Sequence, residues 1–167
     1  MKRLFFILLF FGGLFCLSCQ TEYGILEYQS KDLVAECKIN GKYTVEIAKV
    51  GKACTIRVLE PENAKDITFT VGESVTLAAS DMELKMEREE LSGICALAGI
   101  FSQSEDCLTS ATQKGEGSVL TFQSEGCVYQ ITLGKSGMPN SVYIVSESFE
   151  YEVEILSIEL KTKILAE

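Results

Sequence analysis

From Leu33 onward the chain sets an apolar side chain at every second position, and it repeats this in segment after segment. Leu33, Ala35, Cys37 and Ile39 alternate with Val34, Glu36 and Lys38. A repeat of two is the pleat of a strand with one dry face and one wet face. Asn40-Gly41 then reads as a tight hairpin turn, since both residues tolerate positive φ, and Tyr43, Val45 and Ile47 continue the apolar face on the return. The same alternation runs through Cys54, Ile56 and Val58, then Ile67, Phe69 and Val71, then Val75, Leu77 and Ala79, then Met82, Leu84 and Met86. Six strands joined by short turns predict an antiparallel meander.

Pro61 ends the third of these strands, because its ring fixes φ and removes an amide donor. After the sixth, "EREELSGICALAGIFS" changes period: Leu91, Ile94, Cys95, Ala98 and Phe101 fall along one helical stripe, with glutamates at the amino end where the macrodipole favours them. Gly93 and Gly99 weaken that helix by about 1 kcal/mol each relative to Ala, so packing must hold it. Residues 102–117 are rich in Ser, Thr, Gln and Gly and read as an exposed loop. Strands resume at Val119–Phe122, at Cys127, Tyr129, Ile131 and Leu133, at Val142–Val145, and at Phe149, Tyr151, Val153 and Ile155, the last alternating with Glu150, Glu152 and Glu154. About ten strands around one main helix are too many for a flat sheet, and twist curls such a sheet toward a half-barrel. The expected fold class is therefore α+β, a curved antiparallel sheet with one main helix.

The amino end is an address. Lys2 and Arg3 precede the apolar stretch Leu4 to Leu17, which fits a secretory h-region and is too short to span a bilayer, for which about 20 residues are needed. Cys16-Leu17-Ser18-Cys19 resembles a bacterial lipobox, with Ser18 as the small residue before the cleaved bond and Cys16 where such sequences commonly carry Leu. The resemblance implies acylation of Cys19, which becomes the new terminus. Each buried methylene of an attached chain adds about 0.8 kcal/mol, so two or three chains tether a domain firmly. The expected organisation is a lipoprotein signal peptide over 1–18, a short tether over 19–24, one β-rich domain over 25–160 and a tail over 161–167. The expected location is the outer side of the bacterial cytoplasmic membrane, or another extracytoplasmic membrane face.

Charge and composition narrow the chemistry. With 15 basic and 24 acidic residues the net charge is −9, and loss of Lys2 and Arg3 with the leader takes it to −11. Nucleic acid is not an expected partner of so acidic a chain, and attachment to a membrane falls to acyl chains instead of a basic patch. The absence of histidine removes the commonest general base, and neither SxxK, GxSxG nor a Walker loop occurs. No enzyme activity, cofactor or metal is expected. Five cysteines follow Cys19. Cys37, Cys54 and Cys127 sit on apolar faces, as small buried hydrophobes do; Cys95 and Cys107 flank a helix end and are candidates for a bridge in an oxidising compartment.

The order of features from "LEYQSKDLVAECKINGKYTVEI" through "IRVLEPENAKDITFTVGESVTLAASDMELKM" to "GKSGMPNSVYIVSESFEYEVEI" resembles a set of uncharacterised bacterial lipoproteins, similar in architecture to the LolA/LolB-type lipoprotein carriers. It covers most of residues 25–157. The resemblance implies a half-barrel whose hydrophobic concavity is covered by helix and receives acyl chains. The expected lining is Met82, Leu84, Met86, Phe122, Tyr129, Ile131, Phe149 and Tyr151, since large soft side chains commonly line apolar pockets. The expected function is a membrane-anchored, non-catalytic lipoprotein that binds lipid or another hydrophobic ligand; the alternative is an anchored protein-interaction module with no ligand cavity.

Overall fold

The computed structural model describes residues 27–161. The expected signal peptide over 1–18, the expected attachment point at Cys19, the expected tether over 19–24 and the expected tail over 161–167, apart from Lys161, lie outside the described residues. A 3-10 turn over Glu27–Ser30 leads into β1 (Leu33–Ile39), β2 (Tyr43–Val50), β3 (Ala53–Glu60), β4 (Thr68–Val71), β5 (Val75–Ala79) and β6 (Met82–Met86). A 3-10 turn over Arg88–Leu91 and the helix α1 (Ser92–Gly99) follow. The chain then returns through β7 (Leu108–Lys114), β8 (Gly117–Ser124), β9 (Cys127–Leu133), β10 (Pro139–Val145) and β11 (Glu150–Leu160).

All these strands form one curved, open antiparallel sheet in the order β6-β5-β4-β3-β2-β1-β11-β10-β9-β8-β7. It is two meanders sewn together where β1 pairs with β11. Leu33 stands opposite Leu160 and Ile39 opposite Val153. Between Glu36 and Cys37 the partner register skips from Ser157 to Ile155, so Leu156 is the bulged residue and is turned out to solvent. Asn40, at φ 51°, takes the left-handed conformation of the β1–β2 turn. Its side chain also holds β11, accepting from the Glu152 amide at 2.7 Å and donating to the Glu150 carbonyl at 3.4 Å.

Alternation in sequence becomes alternation in burial. Leu33, Ala35, Cys37 and Ile39 of β1 are buried, as are Cys127, Tyr129, Ile131 and Leu133 of β9. On β11, Val153 is sealed while Glu150, Glu152 and Glu154 face water. The buried faces of the two meanders form one concave side, and α1 packs into it with Cys95, Ala96, Leu97 and Ala98, followed by Ile100 and Phe101. Phe101 meets Tyr28 of the first turn edge-on, with ring centroids 6.4 Å apart.

The structure departs from the sequence reading in several places. The segment 102–117, expected to be an exposed loop, holds a 3-10 turn at Glu105–Cys107 and the whole of β7. That strand is a sheet edge and nearly all of it is exposed, so it has no dry face to produce an apolar alternation. The helix expected over residues 87–102 is shorter, with a 3-10 start and only Ser92–Gly99 as α. It is also buried on more than one stripe, because it sits inside the concavity. Strand β11 runs on to Leu160, paired with β1 from Val153 onward. No Cys95–Cys107 bridge forms; all five described thiols are free.

Candidate functional site

Residues opposite one another in a ladder share a face, which allows the concave side to be followed strand by strand. Across β3 to β6 one row is Cys54, Val71, Val75 and Met86, and the next is Ile56, Phe69, Leu77 and Leu84; Ala79 stands opposite Met82. Cys54, Ile56, Val71 and Val75 are buried. An eight-residue helix is only about 12 Å long, and in this arm α1 packs chiefly against β3 and β4. Along the same face Phe69, Leu77 and Met86 are therefore half-buried, Leu84 is 48% exposed and Met82 is 61% exposed. The result is an apolar strip on the concave side of β4–β6 whose exposure rises toward Leu84 and Met82 on the edge strand.

The eight residues expected to line a ligand site do not form one surface. Met82, Leu84 and Met86 belong to the uncovered strip. Phe122, Tyr129 and Ile131 are sealed within the core. Phe149 and Tyr151 are half-buried and stack on each other, centroids 5.1 Å apart at 26°. Tyr151 also bears on α1, where a side chain at Gly93 would collide with its hydroxyl.

Polar contacts fasten α1 at both ends. At the carboxyl end the Gln29 side chain donates to the Ile100 carbonyl at 3.2 Å and accepts from the Gln103 amide at 3.0 Å, while buried Lys49 donates to the Gln29 carbonyl. At the amino end Arg88 donates to the Gly72 carbonyl in the β4–β5 turn at 2.8 Å and to Glu125 in the β8–β9 turn at 2.9 Å. One guanidinium thus spans the two arms of the sheet. Neither Arg88, Gln29 nor Gln103 was recognisable from sequence; the contacts join segments far apart in the chain, and no local motif marks them.

Two clefts adjoin at that strap. One, of 150 Å³, runs along the flank of α1 between the β2–β3 turn and the β8–β9 turn, with Lys52, Arg88, Gln103, Glu125 and Tyr129 among its lining side chains. The other, of 310 Å³, shares Arg88, Cys95, Glu125 and Tyr129 and adds Glu89 and Cys127. Burial pushes the Cys54 thiol up to about 11, with Lys49 opposing, and raises Cys95 and Cys127 as well. These thiols are protonated near neutral pH, and a thiol is a poor nucleophile and metal ligand compared with its thiolate. Burial likewise raises Tyr129, whose hydroxyl remains a neutral donor. Among the described residues no group of three or more Cys, Asp or Glu side chains is placed to hold a metal ion. No described helix is long and apolar enough to cross a membrane.

No family model and no curated protein matches the chain. Solved structures do. An uncharacterized conserved protein from Thermus thermophilus is similar over 83% of this chain and 84% of its own, with a TM-score of 0.53 at 10% identity. A LolA superfamily protein from Nitrosomonas europaea is similar over 83% of this chain and 92% of its own, with a TM-score of 0.42 at 9% identity. At 10% identity the likeness to the Thermus protein extends to the fold alone.

Proposed function

We propose that this chain is an extracytoplasmic lipoprotein, acylated at Cys19, that holds a hydrophobic ligand against the uncovered concave strip of β4–β6 without acting on it chemically. The observation that carries the reading is the exposure of Met82 and Leu84 on the same sheet face that is sealed elsewhere by α1. Burying apolar area stabilises by about 25 cal/mol per Å², and a flexible acyl chain laid along Met82, Leu84, Leu77 and Phe69 would gain this without displacing the helix. The core residues Phe122 and Ile131 would meet ligand only if α1 moved away. Support for the tether comes from Lys2-Arg3, the apolar stretch behind them and Ser18-Cys19.

The test is titration with a fluorescent fatty acid. Replacing Met82 and Leu84 together by Glu should weaken binding about tenfold or more while leaving the thermal midpoint nearly unchanged, since both side chains are exposed. Equal binding by the double variant would remove the strip from the reading, and no binding by the parent would end it. Mass spectrometry of the chain recovered from bacterial membranes checks the tether; an unacylated terminus at Cys19 or beyond excludes it. One observation favours the protein-interaction alternative. Strand β7 is a seven-residue edge with no charge before Lys114, whereas natural edges are commonly blunted by charge or proline.

A further inference from the structure

Strand β6 reads Met82-Glu83-Leu84-Lys85-Met86 and forms one free edge of the sheet. These five residues complement themselves when the strand is laid antiparallel on a second copy. With Leu84 opposite Leu84, Met82 meets Met86 on the concave side and Glu83 meets Lys85 on the other side, each pair occurring twice. Within the chain the two charges have nothing to pair with. Their ladder neighbours on β5 are Ala78 and Thr76, and neither enters an ion pair among the described residues. Four of the five side chains are exposed, Met82 and Leu84 among them.

Charge on an edge strand commonly keeps other strands away. Here the same charges reject every register but one. A slip of two residues sets Glu83 against Glu83 in one direction and Lys85 against Lys85 in the other, and like charges directly opposite are destabilising. A slip of one turns the apolar side of one strand against the charged side of the other. At the other edge, β7 has an irregular register between Leu108 and Ser110 and no charge before Lys114, so its side chains select no such register.

We infer that β6 pairs antiparallel with β6 of a second copy of this chain, Leu84 opposite Leu84, so that two open sheets join edge to edge about a twofold axis. The same surface serves on both copies, and the free amides and carbonyls of both edges gain partners. The row Phe69, Leu77 and Leu84 then runs on into the partner's Leu84 along one continuous concave side. Just outside the strand Asp81 and Glu87 would oppose each other as like charges, which confines the contact to five residues, about 17 Å of strand. Such a contact falls short of the roughly 1,200 Å² that a stable complex buries. The pairing is therefore weak and reversible, and the chain is a monomer at micromolar concentration. It rests on the backbone edge and on charges that face away from the apolar strip, and does not depend on the acyl-ligand reading.

The experiment places the photo-crosslinking residue p-benzoylphenylalanine at Leu84 of the full chain produced in bacteria and irradiates the living cells, where the chain is at its own concentration. A product of twice the chain's mass is expected, its linkage mapped by mass spectrometry to the stretch Met82–Met86 of the second copy. The same probe at exposed Thr112 of β7 should give no such product. Glu83→Lys and Lys85→Glu should each cut the Leu84 product about tenfold, since each sets like charges opposite one another in two places. Expressed together, the two variants should restore the product, because every pair is again of opposite sign; both changes combined in one chain should do the same. Misfolding would not be repaired by either combination. No doubled product, a linkage mapped elsewhere, capture of another protein in its place, an equal yield from Thr112, single variants that match the parent, or combinations that restore nothing would each overturn the pairing. The charge variants leave Met82 and Leu84 unaltered, so fatty-acid binding should persist where pairing is lost, and the two readings fail separately.

Discussion

Cys37 illustrates how far a single residue's environment reaches. Its side chain is fully buried on the concave face of β1, and burial, with the nearby Glu36 and Cys54 adding to it, pushes its thiol up to about 12 from an ordinary value of 9.0. Cys54 rises to about 11 for the same leading reason. Because both folded values lie above the unfolded ones, the folded chain binds more protons than the unfolded chain once the pH passes about 9. The stabilisation is complete below that point and is lost as the pH climbs toward 11 and 12. Lys49 works in the opposite sense, since burial lowers its value and deprotonation relieves it; Cys37, Cys54 and Tyr28, raised to about 12, outnumber it. Urea midpoints measured in reductant should therefore fall steadily above about pH 9. In Cys37→Ala, one thiol fewer titrates, and the fall should be shallower by up to about 1.4 kcal/mol per pH unit. An identical slope in the variant would show that Cys37 is not shielded. The sequence revealed that Cys37 lies on an apolar face, because alternation marks it. It did not reveal Gln103 as a cleft residue, since its position depends on where α1 stops.

At the scale of elements, the two glycines of α1 separate seating from propensity. The sequence marks both as weaknesses in a helix, yet each lies where a tyrosine from the sheet touches the helix. A Cβ at Gly99 would stand 2.8 Å from the Tyr129 hydroxyl and 3.4 Å from Gln103 Nε2. Tyr129 is almost completely buried, and its ring is packed into the core. A Cβ at Gly93 would strike the Tyr151 hydroxyl, but Tyr151 is half-exposed and can swing outward with its stacking partner Phe149. Gly99→Ala should thus destabilise by about 1–3 kcal/mol through overpacking. Gly93→Ala should come out near zero, the gain in helix propensity of about 1 kcal/mol offsetting the displaced ring. Urea unfolding of the two variants checks the order, and equal losses would contradict it. Strand β7 shows the opposite limit of a sequence reading. "LTSATQK" pairs with β8 through its backbone and buries almost nothing, so the force that makes it a strand leaves no trace in its side chains.

The whole molecule is held by a junction that no local pattern encodes. Alternation establishes the strands and their dry sides, but not that the first described strand lies beside the last, with Ile39 opposite Val153 across more than a hundred residues of chain. Nor does it tell a covered face from an open one, which is why Met82 and Leu84 read like Ile56 and yet stand in solvent. The seam of β1 and β11 is central in the sheet and flanked by paired strands on both sides, whereas β6 and β7 each have one free edge. Leu33, Ala35, Cys37 and Val153 are all buried there, while β6 and β7 carry no fully buried side chain. Amides open locally where few buried contacts hold them and only with the whole fold where many do. Native-state hydrogen exchange should accordingly give β1 and β11 the same protection free energy as global unfolding, with lower values toward β6 and β7. Two distinct plateaus, one for β1–β6 and another for β7–β11, would mean that the meanders fold separately. A single gradient falling away from the seam means one cooperative body, with its apolar strip near one of the two edges that open most readily.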